Sequence, residues 1–247
     1  MLAMQIKVPH RWDLSPKEAA RLQLELRERL VRRRDLGPVR TVAGADMAIA
    51  TDGGRDGQGR GVGYAGVIVY SFPDLREIER ASAAVPLKFP YVPGLLSFRE
   101  GPPLLAAFAK LRTEPDLLLF DAHGYAHPRR FGLASHLSVI LDKPGIGVAK
   151  SRLIGTHKEP RSEKGAWAAL KDGNETIGAV LRTRDNVQPI FVSVGHRMDL
   201  KTAIKLTLAC CDGYRIPKPT READHFVAHL KRGELPKASA APPASLS

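Results

Sequence analysis

Residues 116–121 read DLLLFD, four apolar side chains in unbroken succession between two carboxylates. A strand with one wet face alternates apolar and polar residues. A short run without alternation belongs to a strand buried on both faces. Residues 144–149, PGIGVA, repeat the pattern. Strands of this kind need helices above and below them. The sequence supplies the candidates: 97–111 is apolar at helical spacing, and 132–141, 199–211 and 220–230 also read as helices. Segments 177–183 and 189–194 read as further strands. Ahead of all these, VAGADMAIA is a short apolar run around one carboxylate, beginning one residue after Thr41. After a glycine-rich turn over 53–63, GYAGVIVYSF and REIERASAAV read as two strands joined at Pro73-Asp74. Three strands in close succession predict an antiparallel meander. The whole pattern predicts an α/β fold, a mixed β-sheet flanked by helices on both faces.

The chain has 247 residues, enough for a substantial core without disulfide or zinc staples. We expect one domain over 1–235, followed by a low-complexity, disordered tail over 236–247, PKASAAPPASLS. An N-terminal helix is expected over 15–34. Ser15-Pro16-Lys17-Glu18 forms a capping box, and Leu22, Leu26 and Leu30 line one face. Arg21, Arg27, Arg29, Arg32, Arg33 and Arg34 mark the other face, as a solvated surface or a phosphate contact. Lys and Arg number 38 against 26 Asp and Glu, a formal charge of +12. Such an excess suits a polyanionic partner, most often nucleic acid. No stretch approaches the ~20 apolar residues of a membrane helix. No secretory apolar core is visible near the N-terminus. The two adjacent cysteines, Cys210 and Cys211, read as small buried hydrophobes. A cytoplasmic, monomeric protein is expected.

In a mixed sheet, sites form at the carboxyl ends of the central parallel strands. Asp46 lies inside one apolar strand and Asp121 closes another. If those strands are neighbours, the two carboxylates face each other and call for a proton or a cation between them. Oxygen ligands alone favour Mg²⁺ or Mn²⁺. Glu100, in SFREGP, offers a third carboxylate. The alternative is that Asp46 and Asp121 cap separate turns. A carboxylate metal site with basic neighbours suits phosphodiester hydrolysis. His196, in VSVGHRMD, follows another strand end and would act as a general acid or base, or steady a carboxylate. Pro90-Tyr91-Val92-Pro93 makes a stiff loop. Its tyrosine is either a core residue or an exposed wedge able to enter a base stack.

These segments resemble those of the endonuclease V family, nucleases acting on deaminated purines. The matching stretches are VAGAD (42–46), PYVPGLLSFREGP (90–102), FDAHGYAHPRRFGLASH (120–136), GIGVAKSRL (145–153), VGHR (194–197) and YRIPKPTREAD (214–224). The resemblance implies a ribonuclease H-like fold. It also implies Mg²⁺-dependent hydrolysis of the second phosphodiester on the 3′ side of deoxyinosine, leaving 3′-hydroxyl and 5′-phosphate ends. Asp46, Glu100 and Asp121 then correspond to the metal carboxylates, and His196 to the catalytic histidine. Lys150 is placed to neutralise a phosphate or leaving group. Tyr91 corresponds to the wedge, held by Pro90, Val92 and Pro93. Gly94, Leu96, Ala122 and Gly124 would form the base pocket, with His127, Arg129 and Leu153 beside it.

The chain departs from the family at one position. Where the family reads DGHG or DGQG, this chain reads Asp121-Ala122-His123-Gly124. The added methyl group at Ala122 is expected to crowd the pocket and relax base selectivity. Two rival functions remain at this level. One is an endoribonuclease acting on inosine-containing RNA, distinguished only by contacts to the sugar. The other is a basic nucleic-acid-binding protein without catalysis, against which the complete carboxylate set argues.

Overall fold

The computed structural model describes residues 6–51 and 61–234. The expected turn over 53–63 falls largely outside the described residues, and the tail over 236–247 falls wholly outside them. The meander is β1 (Thr41–Thr51), β2 (Gly61–Ser71) and β3 (Glu77–Pro86), antiparallel throughout. The unbroken apolar runs become β4 (Leu117–Phe120) and β5 (Gly145–Ala149), parallel to β1 and to each other. Every residue of β4 and β5 is buried, as the lack of alternation requires. The remaining strands are β6 (Trp167–Asp172), β7 (Glu175–Leu181) and β8 (Ile190–Val194), and the sheet order is β3-β2-β1-β4-β5-β8-β7-β6. Strand β6 is missing from the sequence expectation. It is a half-exposed edge strand whose WAALKD carries little alternation.

Helices cover both faces. On one, α2 (Leu96–Phe108) and α3 (Leu133–Leu141) bury Leu104, Phe108 and Leu137 against Ala43, Val67 and Phe120. On the other, α4 (Leu200–Ala209) and α5 (Lys218–Lys231) bury Ile204 and Phe226 against Val42, Ile68 and Val192. The architecture is the mixed, doubly covered sheet of the ribonuclease H-like fold. Cys210 lies in this second core, and burial pushes the thiols of Cys210 and Cys211 up, so neither ionises near neutral pH. No helix among the described residues is long and apolar enough to cross a membrane.

Helix α1 (Pro16–Arg27) starts with the expected capping box: Ser15 Oγ accepts from the Glu18 N–H and Glu18 accepts from the Ser15 N–H. It ends at Arg27 rather than near residue 34. The chain past the helix makes tertiary bonds instead of helical ones. The Val31 N–H donates to His196 Nδ1 (3.2 Å), and the Asp35 N–H to the Arg197 carbonyl (3.2 Å). Arg32 to Arg34 therefore do not extend a helical face. The Arg32 guanidinium instead lies over the Tyr125 ring, 4.1 Å from its centre.

Candidate metal centre and base pocket

The register between β1 and β4 decides the first contact. Ala45 pairs with Phe120, so Asp46 and Asp121 each come one residue later, side by side in the sheet. The close packing of α5 brings a third carboxylate. Gly44, two residues before Asp46, lies under Pro219. A Cβ there would stand 2.0 Å from the Pro219 carbonyl oxygen. Only glycine permits that approach. Side chains alternate along a strand, so Gly44 and Asp46 share the face that meets α5. Asp224 projects from that helix. Carboxylate oxygens of Asp46, Asp121 and Asp224 all lie within 4.8 Å of one another.

Lys150 follows the last residue of β5. Its Nζ lies 2.6 Å from Asp121 Oδ2 and 2.8 Å from Asp224 Oδ2. The electrostatics follow from one cation among several acids. Burial, and then the charge of Asp121, push Asp46 up to about 7. Burial, and then Asp46 and Asp121, push Glu100 up to about 8. Burial also raises Asp121, with Lys150 opposing it. Burial works against the charged Lys150, but its bonds to Asp121 and Asp224 outweigh this and raise it. Crowded, half-buried carboxylates that resist ionisation are what a divalent cation relieves. Their oxygens are the hard donors that Mg²⁺ or Mn²⁺ takes. The donor set fits the ion expected from sequence, although its tightest members are Asp46, Asp121 and Asp224. Glu100, on α2, is outside this closest set but near enough to feel the charges of Asp46 and Asp121.

Asp121 and Lys150 also line a cavity of about 380 Å³. Tyr91, Val92, Pro93, Gly94, Leu96, Ala122, His127 and Leu153 contribute to its walls. Tyr91 is 69% exposed, so it is not the core tyrosine of the alternative reading. His127 is buried, and burial with the charge of Arg129 drives it down to about 4. Its Nε2 donates to the Gly94 carbonyl (3.0 Å) and its Nδ1 accepts from the Arg129 N–H (3.2 Å), which assigns one neutral tautomer. Leu96 and Ser97 occupy the first turn of α2, which has no side-chain cap. Ser97 Oγ and His123 Nδ1 are buried without a hydrogen-bond partner, and both residues line the cavity.

The endonuclease V family model matches residues 24–225. The chain belongs to the endonuclease V family. An endonuclease V of Nostoc is 49% identical over 227 residues, 92% of this chain and 100% of that protein. The crystal structure of a Streptomyces avermitilis endonuclease V is 41% identical, with a TM-score of 0.83 over 93% of this chain and 98% of that one. A Ciona intestinalis endonuclease V is 27% identical, with a TM-score of 0.75 over 88% of this chain and 97% of that one. It was crystallised with a DNA 24-mer containing an inosine followed by a ribo-adenosine.

Within this chain, several expected site residues stand elsewhere. His196 is not beside the carboxylates. Strand β8 runs antiparallel to β5, so the residues following it return to the start of β5, where the Gly145 N–H donates to the His196 carbonyl (3.0 Å). Lys150 lies at the other end, five strand residues away, roughly 16 Å at the usual strand rise. His196 steadies a carboxylate, but that of Asp142 (3.3 Å), while its other nitrogen holds Val31. Arg129 is spent internally, on the Gly94 carbonyl and the Gln23 side chain. Arg130 pairs with Glu175 and Asp172, and Arg197 with Asp142 and Asp35. These arginines are held by protein partners, so Arg129 is not free beside the pocket. Gly124 is no pocket wall. Its N–H donates to Ser193 Oγ (2.8 Å), and a Cβ would stand 2.2 Å from the Val194 carbonyl oxygen. Pro90 lines a separate cavity beside Trp12 and Phe89. Asp224 is the residue sequence reasoning missed. It closes the YRIPKPTREAD segment, which was the available signal.

Proposed function

We propose that this protein is a divalent-metal-dependent endonuclease that nicks DNA at deoxyinosine, hydrolysing the second phosphodiester on its 3′ side. The observation that carries the reading is the sharing of Asp121 and Lys150. Both belong to the carboxylate cluster and to the wall of a cavity that carries an exposed tyrosine. A base held in that cavity has its own backbone beside the acids. The Ciona relative crystallised with inosine-containing DNA supports the same class of substrate.

Asp46, Asp121 and Asp224 would hold the ion, with Glu100 near them. A divalent cation bound there supplies Lewis acidity and neutralises charge on the phosphodiester. Lys150 Nζ, fixed between two carboxylates, is positioned to meet a phosphate oxygen or to protonate the departing 3′-oxygen. Water adds its oxygen to phosphorus as the P–O3′ bond breaks; that oxygen stays on the 5′-phosphate and O3′ takes up a proton, which leaves a 3′-hydroxyl.

The cavity suits hypoxanthine, which carries a carbonyl where adenine has an amine. The uncapped first turn of α2 offers N–H donors at Leu96 and Ser97, which favour the carbonyl and leave an amine unpaired. The Gly94 carbonyl takes no part in this reading, because three side chains already donate to it. Tyr91 would fill the gap left by the extruded base.

The test is nicking of matched duplexes, with deoxyinosine or deoxyadenosine at one position, in Mg²⁺, Mn²⁺ or EDTA. Metal-dependent nicks at the second 3′ phosphodiester of the inosine strand are expected. A folded protein that cuts neither duplex overturns the proposal. A parallel inosine-containing RNA strand decides the sugar preference.

A further inference from the structure

Helix α1 lies outside the acidic cluster, yet one of its side chains reaches the pocket. Gln23 is 1% exposed and lines the cavity. Its Nε2 donates to the Gly94 carbonyl (3.2 Å) and to the Phe131 carbonyl (3.0 Å). Its Oε1 accepts from Arg129 Nε (2.5 Å). Both amide hydrogens and the amide oxygen are therefore used, and the flipped amide would set oxygen against two carbonyls. Gly94 and Phe131 belong to different loops. One carries Tyr91 and runs into α2; the other follows Asp121 and runs into α3.

We propose that Gln23 is a positioning residue for lesion selectivity: it locks the tyrosine loop to the loop after Asp121 and so fixes the width of the base pocket. The inference rests on the base-reading role given to the cavity above. Three features argue that the lock matters. Gly94 has φ of +78°, a conformation that returns the chain sharply toward Leu96 and that few other residues hold. Its carbonyl receives Gln23, His127 and Arg129 together, three donors on one oxygen. The apolar side of α1 seals the same loop from outside, with Ala19 and Leu22 packed around Leu95, Phe98 and Val92. Tyr91 and Leu96 lie three residues before and two residues after the pinned carbonyl. A loop free to swing there would admit more than one base.

No natural side chain other than the carboxamide satisfies this site. Gln23→Met keeps the length but takes one donor from each of two carbonyls and the acceptor from the Arg129 Nε–H, which unties the Phe131 loop from the Gly94 loop. Gln23→Glu keeps the bond to Arg129 and opposes both carbonyls. Leu26→Ala is the comparator, because Leu26 is a buried residue of the same helix with no polar contact to the pocket. Three quantities are read on the full chain: hydrogen exchange over 90–97, KM and kcat on deoxyinosine DNA, and the inosine-to-adenine rate ratio. For Gln23→Met and Gln23→Glu, exchange over 90–97 should rise. KM should rise and the ratio fall, each about tenfold, while kcat changes much less. Leu26→Ala should lower Tm and leave the ratio unchanged. Unchanged exchange in Gln23→Met overturns the lock, and so does an equal loss of ratio in Leu26→Ala. Raised exchange with an unchanged ratio overturns the role in selectivity. If the wild-type chain shows no inosine preference, the functional reading fails instead, and the exchange data alone decide whether Gln23 pins the loop.

Discussion

Gly44 on β1 and Pro219 at the start of α5 stand so close that a single methyl group cannot fit between them. That contact sets the height of α5 over the sheet, and with it the reach of Asp224 toward Asp46. Gly44→Ala should push the helix outward. Overpacking of this kind costs about 3 kcal/mol. Thermal unfolding should show the loss, and nicking should fall further than the stability change explains, because Asp224 moves. A variant with wild-type turnover would separate the helix contact from the site.

Asp224 itself is the next test. Asp224→Asn keeps the shape and one acceptor oxygen for Lys150 but replaces the other oxygen with a donor and removes one charge from the cluster. Turnover should drop by about 100-fold or more, in line with the loss of a metal contact. Lys150 retains Asp121, so the fold and the binding of inosine DNA should persist. Single-turnover rates and a binding isotherm in Ca²⁺ check both halves. Asp46→Ala and Asp121→Ala should behave alike.

The pairing of Asp46 with Asp121 was legible because both acids end or interrupt short apolar strands, and a single parallel pairing makes them neighbours. Asp224 was not legible in that way. It lies on an amphipathic helix far along the chain, where an acid looks like ordinary solvated surface. Only the close approach at Gly44 turns it inward. His196 failed for a different reason. Its position after a strand was read correctly, but the direction of that strand in the sheet is a tertiary property, and β8 runs the opposite way to β5. Arg129 failed similarly: a sequence counts charges, whereas Arg129, like Arg130 and Arg197, is consumed by partners brought in from distant elements.

The raised affinity of Asp46 and Glu100 for protons makes the metal-free protein sensitive to pH. Asp46 moves from 3.8 to about 7 and Glu100 from 4.5 to about 8. Between pH 4 and 8, roughly, these two carboxyls bind more protons in the folded state than in the unfolded chain, so their contribution to stability falls as pH rises; below about pH 6.5 the buried histidines, His127 and His136 among them, act the other way, because burial lowers their proton affinity in the folded state. In EDTA, the loss between pH 7.5 and 8.5, where the histidines are nearly all neutral in both states, should reach about 1 kcal/mol, or about 3 °C in Tm. Asp46→Asn removes one of the crowded charges and should flatten the curve while abolishing turnover. Added Mn²⁺ should stabilise the wild-type protein more at pH 8.5 than at pH 5.5, because protons compete with it. An EDTA profile identical in wild type and Asp46→Asn would contradict the crowding.

Tyr91 projects into solvent from a proline-flanked loop, so its removal should leave the fold intact. Tyr91→Ala should change stability by less than about 0.5 kcal/mol. The preference for inosine over adenine should weaken, because nothing then fills the space of the extruded base. Parallel measurements of Tm and of the two nicking rates make the comparison. An unchanged preference would remove the tyrosine from lesion recognition.

Ala122 is the position where the sequence was expected to part from the family's glycine. Its methyl group is 7% exposed, lines the cavity, and packs in the apolar cluster that holds Leu133. It therefore does two opposed things. It contributes apolar contact to the wall, and it narrows the space for a base. Ala122→Gly removes both and adds backbone freedom, at a cost of about 1 kcal/mol in stability. Selectivity should move the other way. With more room beside Asp121, hypoxanthine can seat against the first turn of α2, and the inosine-to-adenine ratio should rise. Rates on inosine, xanthine, uracil and adenine substrates, taken for both proteins, read the change. Matching spectra would show that the methyl group belongs to the wall alone and has no part in choosing the base.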